Sequence, residues 1–164
     1  MAGIVRINPA DKRWGSESMD KTEFPRTLLS SFHHVGYVVR SIADIGRDFA
    51  NSIGAVWDEK IIHDPLQEAR VTFLRVGAPP NPEVELVEPA GERSALHKFL
   101  SRGGGLHHIC FEVDGLEPQL EESRKSGNLI VREPLPAVAF DGRRIAWVYT
   151  RHKLLVEYLE RQES

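Results

Sequence analysis

The chain has 164 residues and a single cysteine, Cys110, so it cannot close a disulfide within itself. That usage fits a reducing, cytoplasmic setting. There is no excess of basic charge. Twenty-one Lys and Arg stand against 24 Asp and Glu, a formal charge of −3. Such a balance gives no electrostatic reason to bind nucleic acid or an anionic membrane. No apolar run approaches the length of a bilayer-spanning helix. The opening MAGIVRINPADKRW lacks the apolar stretch of a secretory signal. What remains is an ordinary globular composition, 41% hydrophobic and 27% charged, long enough for one domain with a real core or two small modules sharing one.

Residues 1–30 are polar and without apolar periodicity, and read as a disordered arm. From Phe32 the pattern sharpens into a single domain over 31–164. FHHVGYVV reads as a strand. SIADIGRDFANSIG reads as a helix: Ser41 caps it, Ile42, Ile45, Phe49 and Ile53 share a face, and Gly54 ends it. AVWDEKII, RVTFLRV and EVELVEP follow as three strands. A linker over about 91–105 carries a short helix (Ala95, Leu96, Phe99, Leu100) into three consecutive glycines. The pattern then restarts. LHHICFEV is a strand, LEPQLEESRKSGN a helix ending near Gly127, and LIVREPLP, RRIAWVY and KLLVEYLE are strands. The order β-α-β-β-β thus occurs twice, over about 31–90 and 106–160. This predicts an α+β fold in which paired βαβββ modules form one curved sheet around a cleft, with helices outside.

The repeat extends to chemistry. His108 follows His34 by 74 residues, and Glu157 follows Glu85 by 72. Strand alternation places His34, Gly36 and Val38 on one face of the first strand, and His108, Cys110 and Glu112 on the matching face of its repeat. The apolar faces pack on helices, so His34 and His108 point into the cleft, joined by Glu85 and Glu157 from the last strand of each module. A buried carboxylate on a cleft wall is costly unless paired or metal-bound. Two imidazoles and two carboxylates suit Zn²⁺, Ni²⁺, Co²⁺ or Fe²⁺. The same alternation puts His33 and His107 on the helix side as packed or rim residues. Cys110 reads as a small buried filler. Arg143 and Arg144, after the Asp141-Gly142 turn, read as exposed turn charges, and His63, His97 and His152 have no assigned place.

FHHVGYVV, VELVEP, GGGLHHICFEVDGLE and LLVEYLE resemble signatures of the vicinal-oxygen-chelate superfamily. The stretch VELVEPAGERSALHKFLSRGGGLHHICFEVD is similar to methylmalonyl-CoA epimerases. The resemblance covers roughly residues 32–160. It implies one divalent ion (Co, Zn, Ni or Mn) on His34, Glu85, His108 and Glu157, an acyl-CoA substrate and a homodimer. It further implies a metal-dependent isomerase in which carboxylates on either side of the substrate move the α-proton. Glu157 matches one base. The other lies on the third strand of such epimerases, where this chain has Val71 or Thr72, and Glu68 just upstream is the candidate substitute. A second departure replaces the epimerases' FLHP segment and its glycine-rich turn by WVYTRHKLL. The second ligand is Gln in some epimerases and Glu in others and in bacterial glyoxalase I, so Glu85 also admits a glyoxalase I-like lyase acting on a glutathione hemithioacetal. A metabolite-binding module, like the bleomycin-sequestering proteins of this fold, generally lacks the four ligands.

Overall fold

Local sequence sets each element of the computed structural model, which describes residues 30–78 and 82–162. The arm expected over 1–30 lies outside these, except that Ser30 already begins the first strand. That strand, β1, spans Ser30–Val38. Helix α1 spans Ile42–Ser52, and the Ser41 side chain accepts a hydrogen bond from the Asp44 amide. This satisfies one of the amides left free in the first turn. Gly54, at φ +66°, reverses the chain where other residues would be strained.

The expected strand AVWDEKII is split into β2 (Ala55–Trp57) and β3 (Ile62–Asp64). Both pair with β4 (Ala69–Val76), Trp57 opposite Leu74 and Ile62 opposite Val71. Four residues, 58–61, therefore cover the distance that two residues cover on β4, and the surplus bulges outward. Thr72 holds the bulge: its hydroxyl donates to the Lys60 carbonyl at 2.6 Å and accepts from the Trp57 indole at 2.7 Å.

Then come β5 (Glu83–Pro89), the short α2 (Leu96–Leu100), β6 (Gly105–Val113), α3 (Leu116–Lys125) and β7 (Leu129–Pro136). A 3₁₀ turn over Val138–Phe140 leads to β8 (Arg144–Tyr149) and β9 (Leu155–Glu160). The nine strands form one open mixed sheet in the order β2-β4-β5-β1-β6-β9-β8-β7, with β3 also on β4. β1 runs parallel to β5, and β6 parallel to β9. The antiparallel pair β1–β6 joins the halves at the centre. Reading outward from that seam, β1-β5-β4 and β6-β9-β8 repeat one another, as the sequence repeat requires.

One face of the sheet is covered by α1 and α3. Ile42 and Ala50 pack on Leu74 and Leu86, and Leu116 and Leu120 on Ala146 and Val148. Burying an aliphatic side chain of this size contributes about 1.5–3 kcal/mol. The opposite face carries a second apolar layer that includes Val38, Val71 and Val87 in one half and Cys110, Ile145 and Leu159 in the other. Between these two patches lies the cleft. No helix among the described residues is long and apolar enough to cross a membrane.

Candidate metal centre

Two cross-strand rows build the centre. In the first, Glu85 on β5, Gly36 on β1 and His108 on β6 stand side by side. In the second, His34 on β1, Cys110 on β6 and Glu157 on β9 do the same. In each row a His and a Glu sit two strands apart, about 9–10 Å by the spacing of strands. A small residue lies between them. Both long side chains lean over that small residue and meet. Gly36 leaves the tighter space: a Cβ on it would lie 1.9 Å from Cε1 of His108.

The four side chains converge on one point. His34 Nε2 lies 3.1 Å from His108 Nε2, 3.4 Å from a Glu85 oxygen and 3.3 Å from a Glu157 oxygen. His108 Nε2 lies 3.3 Å and 3.7 Å from the same two oxygens. All four residues are at most 6% exposed. The Glu157 oxygen at the centre has no hydrogen-bond partner. Two buried carboxylates facing two imidazoles are a cation-binding arrangement, since each unpaired charge would cost several kcal/mol. Burial opposes the charge of His34, but its contacts with Cys110, Glu157 and Glu85 outweigh burial and raise its pKa well above the usual range. Burial likewise opposes ionisation of Glu85, yet hydrogen bonds from His108 and His34 hold it down to about 2. The point between these groups favours positive charge. Two imidazole nitrogens and two carboxylates fit a divalent ion of the borderline class.

The structure corrects the expectation that His33 and His107 lie on the helix side. The β1–β6 register slips twice, between Phe32 and His34 and between Gly36 and Tyr37. His33 is the unpaired residue of the first slip and His107 of the second. Each slip is a bulge, and a bulge turns two successive side chains toward the same face. His33 Nδ1 therefore lies 2.9 Å from His34 Nδ1, and His107 Nδ1 lies 3.1 Å from His108 Nδ1. Burial, reinforced by the neighbouring His34, lowers the pKa of His33. Burial, reinforced by His108, pushes His107 down to about 4. Both are held below the ordinary imidazole range, and each can accept the Nδ1–H of the next histidine, the tautomer that would leave that ring's Nε2 lone pair to a bound ion.

Aromatic rings also repeat around the centre. Phe73, opposite Glu85, meets the His34 ring at 5.7 Å, and Trp147, opposite Glu157, meets the His108 ring at 4.7 Å. Phe140 stacks on His34 without a counterpart. The centre is the floor of a cavity of about 370 Å³ whose walls include Val71, Val87, Leu96 and Ile145. Of the two third-strand positions, Val71 faces this cavity and Thr72 is turned to the Trp57 side. Glu68 stands on the cavity wall in a strained turn, φ +51°, with its carboxylate 3.7 Å from Arg93.

Cys110 lies between His34 and Glu157 in the second row, fully buried against Ala137, Phe140 and Leu159, and burial pushes its thiol pKa up. The remaining candidates are elsewhere. Arg143 and Arg144 are not loose turn charges: Arg143 pairs with Glu112, and Arg144 with Glu117 and Glu160. His97 bonds to the Gly91 carbonyl, and His152 meets Arg151 on the surface. Sequence reading overlooked Gln67, Ser94 and Phe140 on the cavity wall. The repeat was the signal in use, and none of these has a repeat-related partner.

The family model of the glyoxalase/bleomycin resistance protein/dioxygenase superfamily matches residues 33–147. The ethylmalonyl-CoA/methylmalonyl-CoA epimerase of Cereibacter sphaeroides is 24% identical over 126 residues, 76% of this chain and 91% of that protein. The uncharacterized protein YqjC of Bacillus subtilis is 32% identical over 137 residues, 80% of this chain and 93% of that one. The crystal structure of methylmalonyl-CoA epimerase from Mycobacterium tuberculosis superposes with a TM-score of 0.72 at 22% identity, over 87% of this chain and 95% of that chain, and shares the fold. By fold and by family match, this chain belongs to the glyoxalase/bleomycin resistance protein/dioxygenase superfamily.

Proposed function

We propose that the protein is a metal-dependent isomerase that moves the proton α to the carbonyl of an acyl-CoA-type thioester. The observation that carries this reading is the convergence of His34, Glu85, His108 and Glu157 at the floor of an apolar-walled cavity. A divalent ion held by these four residues would supply Lewis-acid stabilisation of negative charge developing on the substrate's carbonyl oxygen. The chain supplies the rest. Glu157 is a carboxylate at the floor of the cavity, and it takes the α-proton. The apolar walls exclude water and strengthen the local electrostatics. Glu68, on the cavity wall, returns a proton from the other side of the substrate. The relatives that are methylmalonyl-CoA epimerases support a 2-substituted malonyl thioester as the substrate.

The test is solvent exchange. Metal-loaded protein in D₂O should wash deuterium into methylmalonyl-CoA, EDTA should stop the reaction, and Glu157→Gln should lower the rate by at least about 100-fold, the usual range for a general base. Exchange that survives EDTA would reject the metal role. Absence of exchange with such thioesters, together with turnover of a glutathione hemithioacetal, would replace the isomerase by a lyase.

A further inference from the structure

The cavity wall holds two buried polar atoms that nothing in the described fold uses. Gln67 Nε2 and Ser94 Oγ both lack a hydrogen-bond partner, and both residues line the cavity above the metal centre. Gln67 lies in the turn between β3 and β4. Asp64, 1% exposed, fixes that turn by accepting from the Leu66 and Gln67 amides at 3.0 and 3.1 Å. Its other oxygen accepts from the Val138 amide at 2.8 Å, tying the turn to the second half of the sheet. Ser94 lies in the loop before α2. That loop is held to the same turn by the Ala90 amide donating to the Glu68 carbonyl at 2.8 Å. The two side chains thus stand on adjoining, anchored segments.

The orientation of the Gln67 amide follows from its neighbour. Arg132 Nη1 donates to Gln67 Oε1 at 2.7 Å. A guanidinium has only donors, so the oxygen faces it and the NH₂ is the half of the amide left buried without a partner. That side of Gln67 offers hydrogens and no acceptor. Ser94, with its hydroxyl free to rotate, can donate alongside. A buried donor without a partner costs about 1–3 kcal/mol, which a ligand acceptor recovers.

Position selects which part of a ligand this is. The acyl oxygens belong to the floor, at the four converging side chains. Gln67 is bonded to Arg132 and Ser94 follows Arg93, whose side chain is 92% exposed, so both donors adjoin the surface arginines and stand apart from the four converging side chains. Arg93 and Arg132 are engaged by Glu68 and Gln67, leaving neutral donors and not a bare cation facing inward. We propose that Gln67 and Ser94 form a donor subsite that takes an amide carbonyl of the substrate's thioester arm. This assignment rests on the acyl-thioester reading and adds how the arm is recognised.

Calorimetric titration of the Zn²⁺-loaded protein tests it. One ligand is the methylmalonyl thioester of pantetheine, whose arm carries amide carbonyls. The other is a methylmalonyl S-alkyl thioester of matched length, whose arm carries none. Gln67→Glu keeps the oxygen that Arg132 needs but turns the inward donor into an acceptor. It should weaken the pantetheine thioester by tenfold or more and leave the alkyl thioester within about twofold. Ser94→Ala should weaken the pantetheine thioester about three- to tenfold with the same selectivity. Zinc content and melting temperature should stay at the wild-type values. If Gln67→Glu does not fold, Ser94→Ala and Gln67→Met decide. Losses that are equal for both thioesters, or absent for both, overturn the subsite while wild-type binding preserves the acyl-thioester reading. If the wild-type protein binds neither thioester, that reading falls and the subsite falls with it.

Discussion

Replacing Gly36 by alanine adds one methyl group, and the structure says where it goes. The new Cβ would lie 1.9 Å from Cε1, 2.3 Å from Nδ1 and 2.5 Å from Nε2 of His108. Carbon atoms in contact sit about 3.5–4.0 Å apart, so the ring must retreat by roughly 1.5 Å or more. Metal–ligand distances tolerate only about 0.2 Å, so a ring displaced that far has left the coordination sphere. Disturbing a residue that merely supports a ligand costs about 10–100-fold in metal affinity, so the loss here should reach at least the upper end, about 100-fold or 2.7 kcal/mol.

The fold should suffer less than the site. Gly36 lies in β1 and is not among the residues of positive φ, so alanine there gains about 0.5–1 kcal/mol in backbone entropy. This offsets part of the roughly 1–3 kcal/mol of overpacking. The assay is competition for Zn²⁺ against a chelator, with thermal melting of the metal-free protein alongside. Gly46→Ala is the control. Its Cβ would meet the Trp57 ring at 2.6 Å, away from the centre, so it should disturb melting and leave zinc affinity unchanged. A Gly36→Ala protein that binds zinc as the wild type does, or a Gly46→Ala protein that loses zinc equally, would refute the row geometry.

Three further outcomes are expected. His33→Phe and His107→Phe remove the ring nitrogens at 2.9 and 3.1 Å from His34 and His108, and each should weaken zinc by about 10–100-fold with the metal-free fold intact; unchanged affinity in chelator competition would show the paired histidines to be packing only. Glu112 is held below the usual carboxylate range because hydrogen bonds from Arg161 and Arg143 outweigh burial. Its folded pKa is depressed, so its stabilisation is present above the unfolded value near 4.3 and is lost as pH falls through the folded value. Glu112→Gln should therefore lower stability by about 1 kcal/mol at pH 7, and the gap to wild type in urea melts should close in acid. Glu68→Ala should slow inversion of a 2-substituted malonyl thioester more than deuterium exchange; equal slowing would remove Glu68 from the second-base role.

Much of the fold was legible because the chain states it twice. A weak pattern such as LIVREPLP gains weight from an equivalent run in the other half, and it forms β7 over the same eight residues. Alternation correctly directed Glu85 and Glu157 to the cleft because β5 and β9 are regular there. It failed at His33 and His107, since period-two reading assumes an unbroken ladder and each dipeptide straddles a register slip. No local residue preference announces a bulge of this kind. The two-strand split of AVWDEKII was hidden for a related reason: the interruption is fixed by Thr72, a residue on another strand. Pairing partners, and not the segment's own residues, decided both cases.

The two halves repeat the floor of the site but not its walls, and that difference bears on stereochemistry. Val71 and Ile145 occupy equivalent places on β4 and β8, one paired with Val87 beside Glu85, the other with Leu159 beside Glu157. Both are aliphatic, so neither third strand offers a carboxylate. Phe140 breaks the symmetry. It stacks on His34, which is fully buried, while His108 lines the open cavity. A substrate therefore meets the centre from one side. Of the cavity's carboxylates, Asp64 has both oxygens bound to backbone amides, while Glu85 and Glu157 both meet the two imidazoles. The proposed reading takes Glu157 of this pair together with the rim residue Glu68. Under the proposed reading, proton removal at Glu157 is built into the floor. Delivery to the opposite side depends on a turn residue paired with Arg93 in a conformation L-residues disfavour. Exchange is then the intrinsic activity of the fold's core, and inversion depends on the β3–β4 turn.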